Sequence, residues 1–300
     1  MALSSPPTNQ TGIIYAVLGA ICAGAFIVPW KKASDIASVP SMVLVMLSTA
    51  AVFNTGMLFV PGIRDPDRPV EWRLMILLGL IFAILSLTGN SGSAAAVTEL
   101  SASVVSVLIR TEVILVAILG WLLLGERVPL AFWVGVLLAG AGLLIVQAPT
   151  TSGSQTNTMG LLYALAAAGS FATMGVLTRR YITRVDPVGL NTLRLWGSVV
   201  LWFAFEGPHL PRDLTLSATL YAVLAAILGP FLGRLFLMFS ARTLEARTTS
   251  MITLTGPVWS VLIAGVVLGE VLEWNEIVGG ALLLSGVSIP VITRFHRTQR

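Results

Sequence analysis

Arg110 and Glu112 stand inside an apolar run from about Ala102 to Leu124, in the stretch LIRTEVIL (108–115). A charged side chain at the centre of a bilayer costs about 2.5–3.5 kcal/mol on insertion scales. Two in one run ask for a compensating role. Either they line a polar substrate path, with Glu112 able to carry a proton, or they form a buried structural pair that locks their helix to its neighbours. Glu112 is the one acid deep within an apolar run: the five aspartates (Asp35, Asp65, Asp67, Asp186, Asp213) fall between runs and Glu206 lies at a run's end. On a continuous helix the neighbours of Glu112 at three and four residues are Leu108, Ile109, Leu115 and Val116. Arg110 would point about 200° away from it. The spacing therefore predicts that the two do not meet, and that Glu112 faces another helix, water or a ligand.

Other chemistries lack their residues. His209 and His296 lie outside the apolar runs, so no zinc or serine-hydrolase centre is expected at depth, and no aspartate is there for an aspartyl protease. Neither lysine follows a glycine, so no P-loop is present. The single cysteine, Cys22, gives neither a disulfide framework nor a metal cluster. No catalytic residues, metal or cofactor are expected.

The elements that must position these charges are membrane helices. Only 11% of the 300 residues are charged and 56% are hydrophobic, against about 25% charged in a soluble domain. Apolar runs fall near 13–30, 41–60, 74–94, 102–124, 130–147, 160–178, 188–206, 216–240, 249–268 and 276–293. Each can cross about 30 Å of hydrocarbon. The pattern predicts an all-α polytopic membrane protein of ten spans. The first run ends in VPWKK, not at a small-residue cleavage site, so it reads as a span and not a secretory signal. The pI near 9.7 reflects loop residues that set topology, and no nucleic-acid partner is expected. Of 18 Lys and Arg, Lys31, Lys32 and Arg212 fall on one side, Arg110, Arg194 and Arg234 within spans, and the other 12 on the side of both termini. That bias places the termini in the cytoplasm, although Lys31-Lys32 after the first span, taken alone, would favour the reverse.

The chain repeats itself. TGIIYAVLGA (11–20) returns as MGLLYALAAA (159–168), and LLLGE (122–126) as VVLGE (266–270). The latter offset, 144, also carries Gly89 onto Gly233, Gly135 onto Gly279 and Gly142 onto Gly286. Five spans per half is an odd number, so the second half is inverted. Residues 1–148 and 159–294 form the halves, 149–158 a linker and 295–300 a tail. Inverted repeats mark secondary transporters, whose substrate site lies near the midplane between the halves. A non-transporting sensor or assembly subunit is the alternative that the pattern leaves open.

With its two LLLGE…GVLLAGAGLLI and VVLGE…GGALLLSGV endings, the chain resembles the drug/metabolite transporter superfamily, and within it the EamA-type ten-helix exporters. It is compatible with the YddG-like exporters of amino acids. The resemblance implies a bacterial inner-membrane transporter of amino acids or other small metabolites (drugs, sugars or nucleotide sugars being the other substrate classes). It further implies a basket of ten helices around a central cavity, lined by helices 1, 3, 4, 6, 8 and 9, with 5 and 10 outside.

At offset 144, LIRTEVIL lies over ITLTGPVW (252–259), so Thr111 pairs with Thr255 and Glu112 with Gly256. Gly256-Pro257 is expected to break the second copy, as Gly229-Pro230 breaks the eighth span, freeing carbonyls only a cavity or protein could satisfy. The candidate cavity set is Arg110, Thr111, Glu112, Asn90, Phe171 (from the resemblance), Arg234, Thr255, Gly256 and Trp259. Glu112 is the candidate proton carrier, with facilitated diffusion equally compatible. Arg234 could instead snorkel to the interface, and Arg194 is read as structural. Trp30, Trp72, Trp133, Trp202 and Trp274 near span ends read as interface anchors. Glu126 and Glu270 read as turn-fixing acids. Gly135 and Ala139 form a small-residue seam for close packing or a dimer contact, so both homodimer and monomer are compatible.

Overall fold

The computed structural model describes residues 9–61, 70–124, 130–146, 157–207, 211, 213–244, 252–253, 255–269 and 272–298. Where an apolar run ends, a short polar residue usually starts the next helix. Asp186 accepts from the Gly189 N–H at 2.7 Å with Pro187 opening the helix, and Thr215 and Ser101 accept from Ala218 and Val104 N–H, each at 3.2 Å. The resulting helices are α1 (Asn9–Ala25), α2 (Ile27–Ser34), α3 (Val39–Met57), α4 (Trp72–Glu99), α5 (Ala102–Ile109), α6 (Glu112–Leu124) and α7 (Leu130–Val146) in the first half. The second half holds α8 (Thr158–Tyr181), α9 (Pro187–Glu206), α10 (Leu216–Ala226), a π-helical segment (Ile227–Gly233), α11 (Arg234–Thr243), α12 (Gly256–Leu268) and α13 (Trp274–Thr298).

Each of the ten apolar runs has its helix, with the first, fourth and ninth divided by turns and the eighth widened into the π-helical segment. The fold is an all-α polytopic membrane protein: two inverted five-helix repeats around a central cavity. Apolar side chains cover its outside, Val266 and Leu137 being 87% and 74% exposed, a surface suited to lipid and not to water.

The α7–α13 pair shows the inversion most directly. A Cβ on Gly142 would lie 2.5 Å from the Gly279 carbonyl oxygen, and one on Gly286 would lie 2.5 Å from that of Gly135. Offset 144 turns each contact into the other, so the pseudo-two-fold axis runs between these helices. Only glycine permits so close a backbone approach. The Gly135–Ala139 seam, with a dimer contact as one of its expected uses, is thus filled within the chain by Gly286, which faces the Ala139 N–H as well.

Several sequence expectations are corrected here. Trp30 and Trp202 are not interface anchors. Trp30 is fully buried, its ring 5.8 Å from Phe26, and buried Trp202 donates through Nε1 to the Pro40 carbonyl at 2.9 Å. Trp72, Trp133 and Trp274 are exposed. Glu126, Glu270 and most of the 149–158 linker lie outside the described residues.

Candidate substrate site

The fourth run does not form one straight helix. Arg110 N–H donates to Val107 O and Thr111 N–H to Leu108 O, each at 3.0 Å, three residues back instead of four. The Thr111 hydroxyl adds a 2.9 Å bond to the same Leu108 carbonyl. This tight turn separates α5 from α6 and redirects the chain. Arg110 can consequently reach Glu112: Nη1 donates to Oε1 at 3.3 Å. The expectation that these side chains diverge fails because it assumed an unbroken helix.

The ninth run repeats the threonine bonds of this turn. Thr255 N–H donates to Ile252 O at 3.1 Å and its hydroxyl to the same oxygen at 2.7 Å. Gly256-Pro257 therefore opens α12 at its first turn instead of kinking a helix interior. Gly256 has a second duty, since a Cβ there would stand 2.7 Å from Arg110 Nη2. The Arg110 guanidinium lies against bare backbone of the opposite repeat.

At Gly229-Pro230 the eighth run widens into its π-helical segment and does not part. The Pro230 carbonyl accepts from Arg194 Nη2 at 2.8 Å and more weakly from Asn191 Nδ2 at 3.5 Å. Arg194 Nη1 reaches Ser86 Oγ at 3.3 Å. Ser86 and Pro230 are themselves related by offset 144, so Arg194 bridges equivalent points of the two repeats. The buried amides beside it are tied together, Asn191 Nδ2 donating to Asn54 Oδ1 at 2.7 Å and Asn54 Nδ2 to Thr192 Oγ1 at 2.6 Å.

These features surround a cavity of about 250 Å³ between the repeats. Its walls come from α1, α2, α4, α5, α6, α8, α9, α11, the π segment and the turns at Arg110 and Thr253, and none from α7 or α13 among the described residues. Arg110, Glu112, Asn90, Phe171, Arg234, Gly229 and Pro230 all line it. Four other residues of the candidate set do not. The Thr111 and Thr255 hydroxyls are used within their own turns, Gly256 stands behind Arg110, and Trp259 packs by its Cβ on the α1 backbone at Gly24. The Pro257 side chain lies outside the described residues.

The three arginines within the spans all reach the cavity, as the candidate set had it for Arg110 and Arg234. Arg194 is 2% exposed and lines the cavity as well as bridging the repeats. Arg234 does not snorkel; it lines the cavity and donates through Nη2 to Thr178 Oγ1 at 3.2 Å. Arg179 and Phe26 also line the cavity and were missed. Phe26 lies over Gly229 in one repeat-facing contact and Phe171 over Gly89 in another.

Helices in inverted halves around a charged cavity inside an otherwise apolar body are the architecture of a membrane transporter. The model of the EamA-like transporter family matches residues 10–147 and 158–292, and the chain belongs to that family. It is 27% identical over 203 residues to an uncharacterized transporter of Archaeoglobus fulgidus (65% of this chain, 70% of that protein). Over 228 residues it is 26% identical to the uncharacterized transporter YdfC of Bacillus subtilis (75% and 72%). Over 220 residues it is 26% identical to a probable amino-acid metabolite efflux pump of Salmonella typhimurium (66% and 71%). A solved crystal structure superposes with a TM-score of 0.65 at 17% identity, covering 97% of this chain and 99% of the other.

Proposed function

We propose that this transporter exports amino acids and related small metabolites by alternating access, from a bacterial inner membrane in which both termini face the cytoplasm. The observation that carries the reading is the cavity itself: charged side chains at the junction of two inverted repeats, the position at which such folds hold substrate. Its volume lies just under the ~300–1,000 Å³ of pockets for drug-sized ligands, which suits a small metabolite better than a bulky drug. The efflux pump of Salmonella typhimurium, described as acting on amino-acid metabolites, supports the same substrate class. The excess of Lys and Arg on the terminus side supports the orientation.

Purified protein in liposomes tests the reading. Labelled amino acids and small metabolites trapped inside should leave down their gradients without ATP, faster than from protein-free vesicles. No flux across a broad panel of both would overturn it.

A further inference from the structure

We propose that the substrate carries net negative charge, with a carboxylate seated between Arg194 and Arg234. This rests on the exporter reading and narrows it to acidic amino acids and small dicarboxylates. Four guanidiniums line the cavity (Arg110, Arg179, Arg194 and Arg234) against a single carboxylate among the described lining residues, that of Glu112. Glu112 is engaged by Arg110 and also acts electrostatically on Arg234. Among the described residues it makes no hydrogen bond or ion pair with Arg194.

Arg194 is the more demanding cation. Its hydrogen-bond partners among the described residues, the Pro230 carbonyl and Ser86 hydroxyl, are neutral, and the like-charged Arg234 lines the same cavity. The Nε atoms of both arginines are buried without a partner among the described residues. Burial of a charge away from water is costly unless an opposite charge or a ligand compensates it. A zwitterionic amino acid would leave the cavity's net charge unchanged. A dianion offsets two of its positive charges, and the planar fork of a guanidinium matches a carboxylate. Arg194 is also held from both repeats, through Ser86 and Pro230. An anion on Arg194 is thereby bound at the seam that must shift as the repeats exchange.

Glutamate and glutamine separate the charge from size and shape. In liposomes, glutamate should move about ten-fold or more faster than glutamine, the scale of one charge-assisted hydrogen bond. Succinate should compete with labelled glutamate, and succinamide should not. In detergent, glutamate and succinate should raise the melting temperature of the wild type. Arg234→Gln should remove that shift and bring the glutamate-to-glutamine flux ratio towards one, with Arg234→Lys keeping part of both. The ratio is read within each variant, so it does not depend on how much protein folds. Flux of glutamine equal to or above that of glutamate overturns the anionic assignment and leaves the exporter reading standing. No flux of these or of the wider panel, with no melting shift, overturns both.

Discussion

Thr111 and Thr255 close the same turn twice, once in each repeat. Each donates its N–H and its hydroxyl to the carbonyl three residues earlier, Leu108 and Ile252. Four residues on, the N–H groups of Leu115 and Trp259 return to the threonine carbonyls at 3.1 and 3.4 Å. The two turns lie beside the cavity in oppositely oriented halves. If they flex as the site changes sides, loosening one favours one access state and loosening the other favours its mirror. Thr111→Val and Thr255→Val each remove one hydroxyl bond, worth about 1 kcal/mol. Each should shift the ratio of outward- to inward-open molecules by about five-fold, in opposite directions. Distances between spin labels on the two faces measure the ratio. Shifts in the same direction would separate these turns from the exchange.

How much of this was legible beforehand follows from what periodicity can and cannot encode. Span positions, the repeat and its inversion rest on hydropathy and counting, and all ten runs became helix. The Gly142–Gly279 and Gly286–Gly135 contacts were implicit in the matching glycines. The turn at Thr111 was not, because a threonine closing a 3₁₀ turn with its own hydroxyl carries neither glycine nor proline to announce it. Once that turn was missed, the geometry of Arg110 and Glu112 followed wrongly. Arg194 was read as structural, and its place in the cavity wall was not legible for a different reason. Depth along a helix can be counted from sequence, whereas the direction of a long side chain depends on a neighbour, here the Pro230 carbonyl.

Glu112 bears on both stability and coupling. Glu112→Gln keeps the shape but leaves Arg110 charged against the Gly256 backbone. The pair is partly accessible, with side-chain exposures of 10% and 24%, so the loss should fall below the ~3–5 kcal/mol of a fully buried pair. The double variant Arg110→Gln/Glu112→Gln should recover part of the lost melting temperature. If Glu112 carries a proton, Glu112→Gln should also abolish acceleration of efflux by an imposed pH gradient. Full gradient response with lowered stability would assign Glu112 to structure alone.

The α7–α13 contact should respond to side chains symmetrically. Gly142→Ala and Gly286→Ala each force a methyl to 2.5 Å from a carbonyl oxygen of the facing helix. Overpacking of this kind costs about 1–3 kcal/mol, and the two variants should lose similar amounts in thermal unfolding. Neither should change the oligomeric state by light scattering, because the seam is internal. Conversion of one species into another would show that these glycines also serve an interface between copies.

Two polar clasps stand at opposite faces of the protein, each joining a loop of one repeat to a loop of the other. Glu71 accepts from Arg184 Nε and Nη2, both at 2.6 Å, and its N–H donates to the Arg184 carbonyl at 3.2 Å. Across the membrane, Asp213 accepts from the Ser41 hydroxyl and from the Ser38 N–H at 2.6 Å, at the start of α3. The Ser41 hydroxyl, followed by the Ser38 backbone, holds the Asp213 carboxyl at about 2, below its usual 3.8. A carboxyl whose value is depressed on folding adds stability above its unfolded value, and the gain is lost as pH falls through the folded one. The stabilisation is therefore complete above about pH 4 and gone near pH 2. Asp213→Asn should melt below the wild type at pH 6, and the gap should close between pH 4 and 2. Because the Glu71 clasp is intact in both proteins, its own titration cancels in the difference. A gap that stays constant down to pH 2 would show that the ionised carboxylate contributes nothing to holding α3.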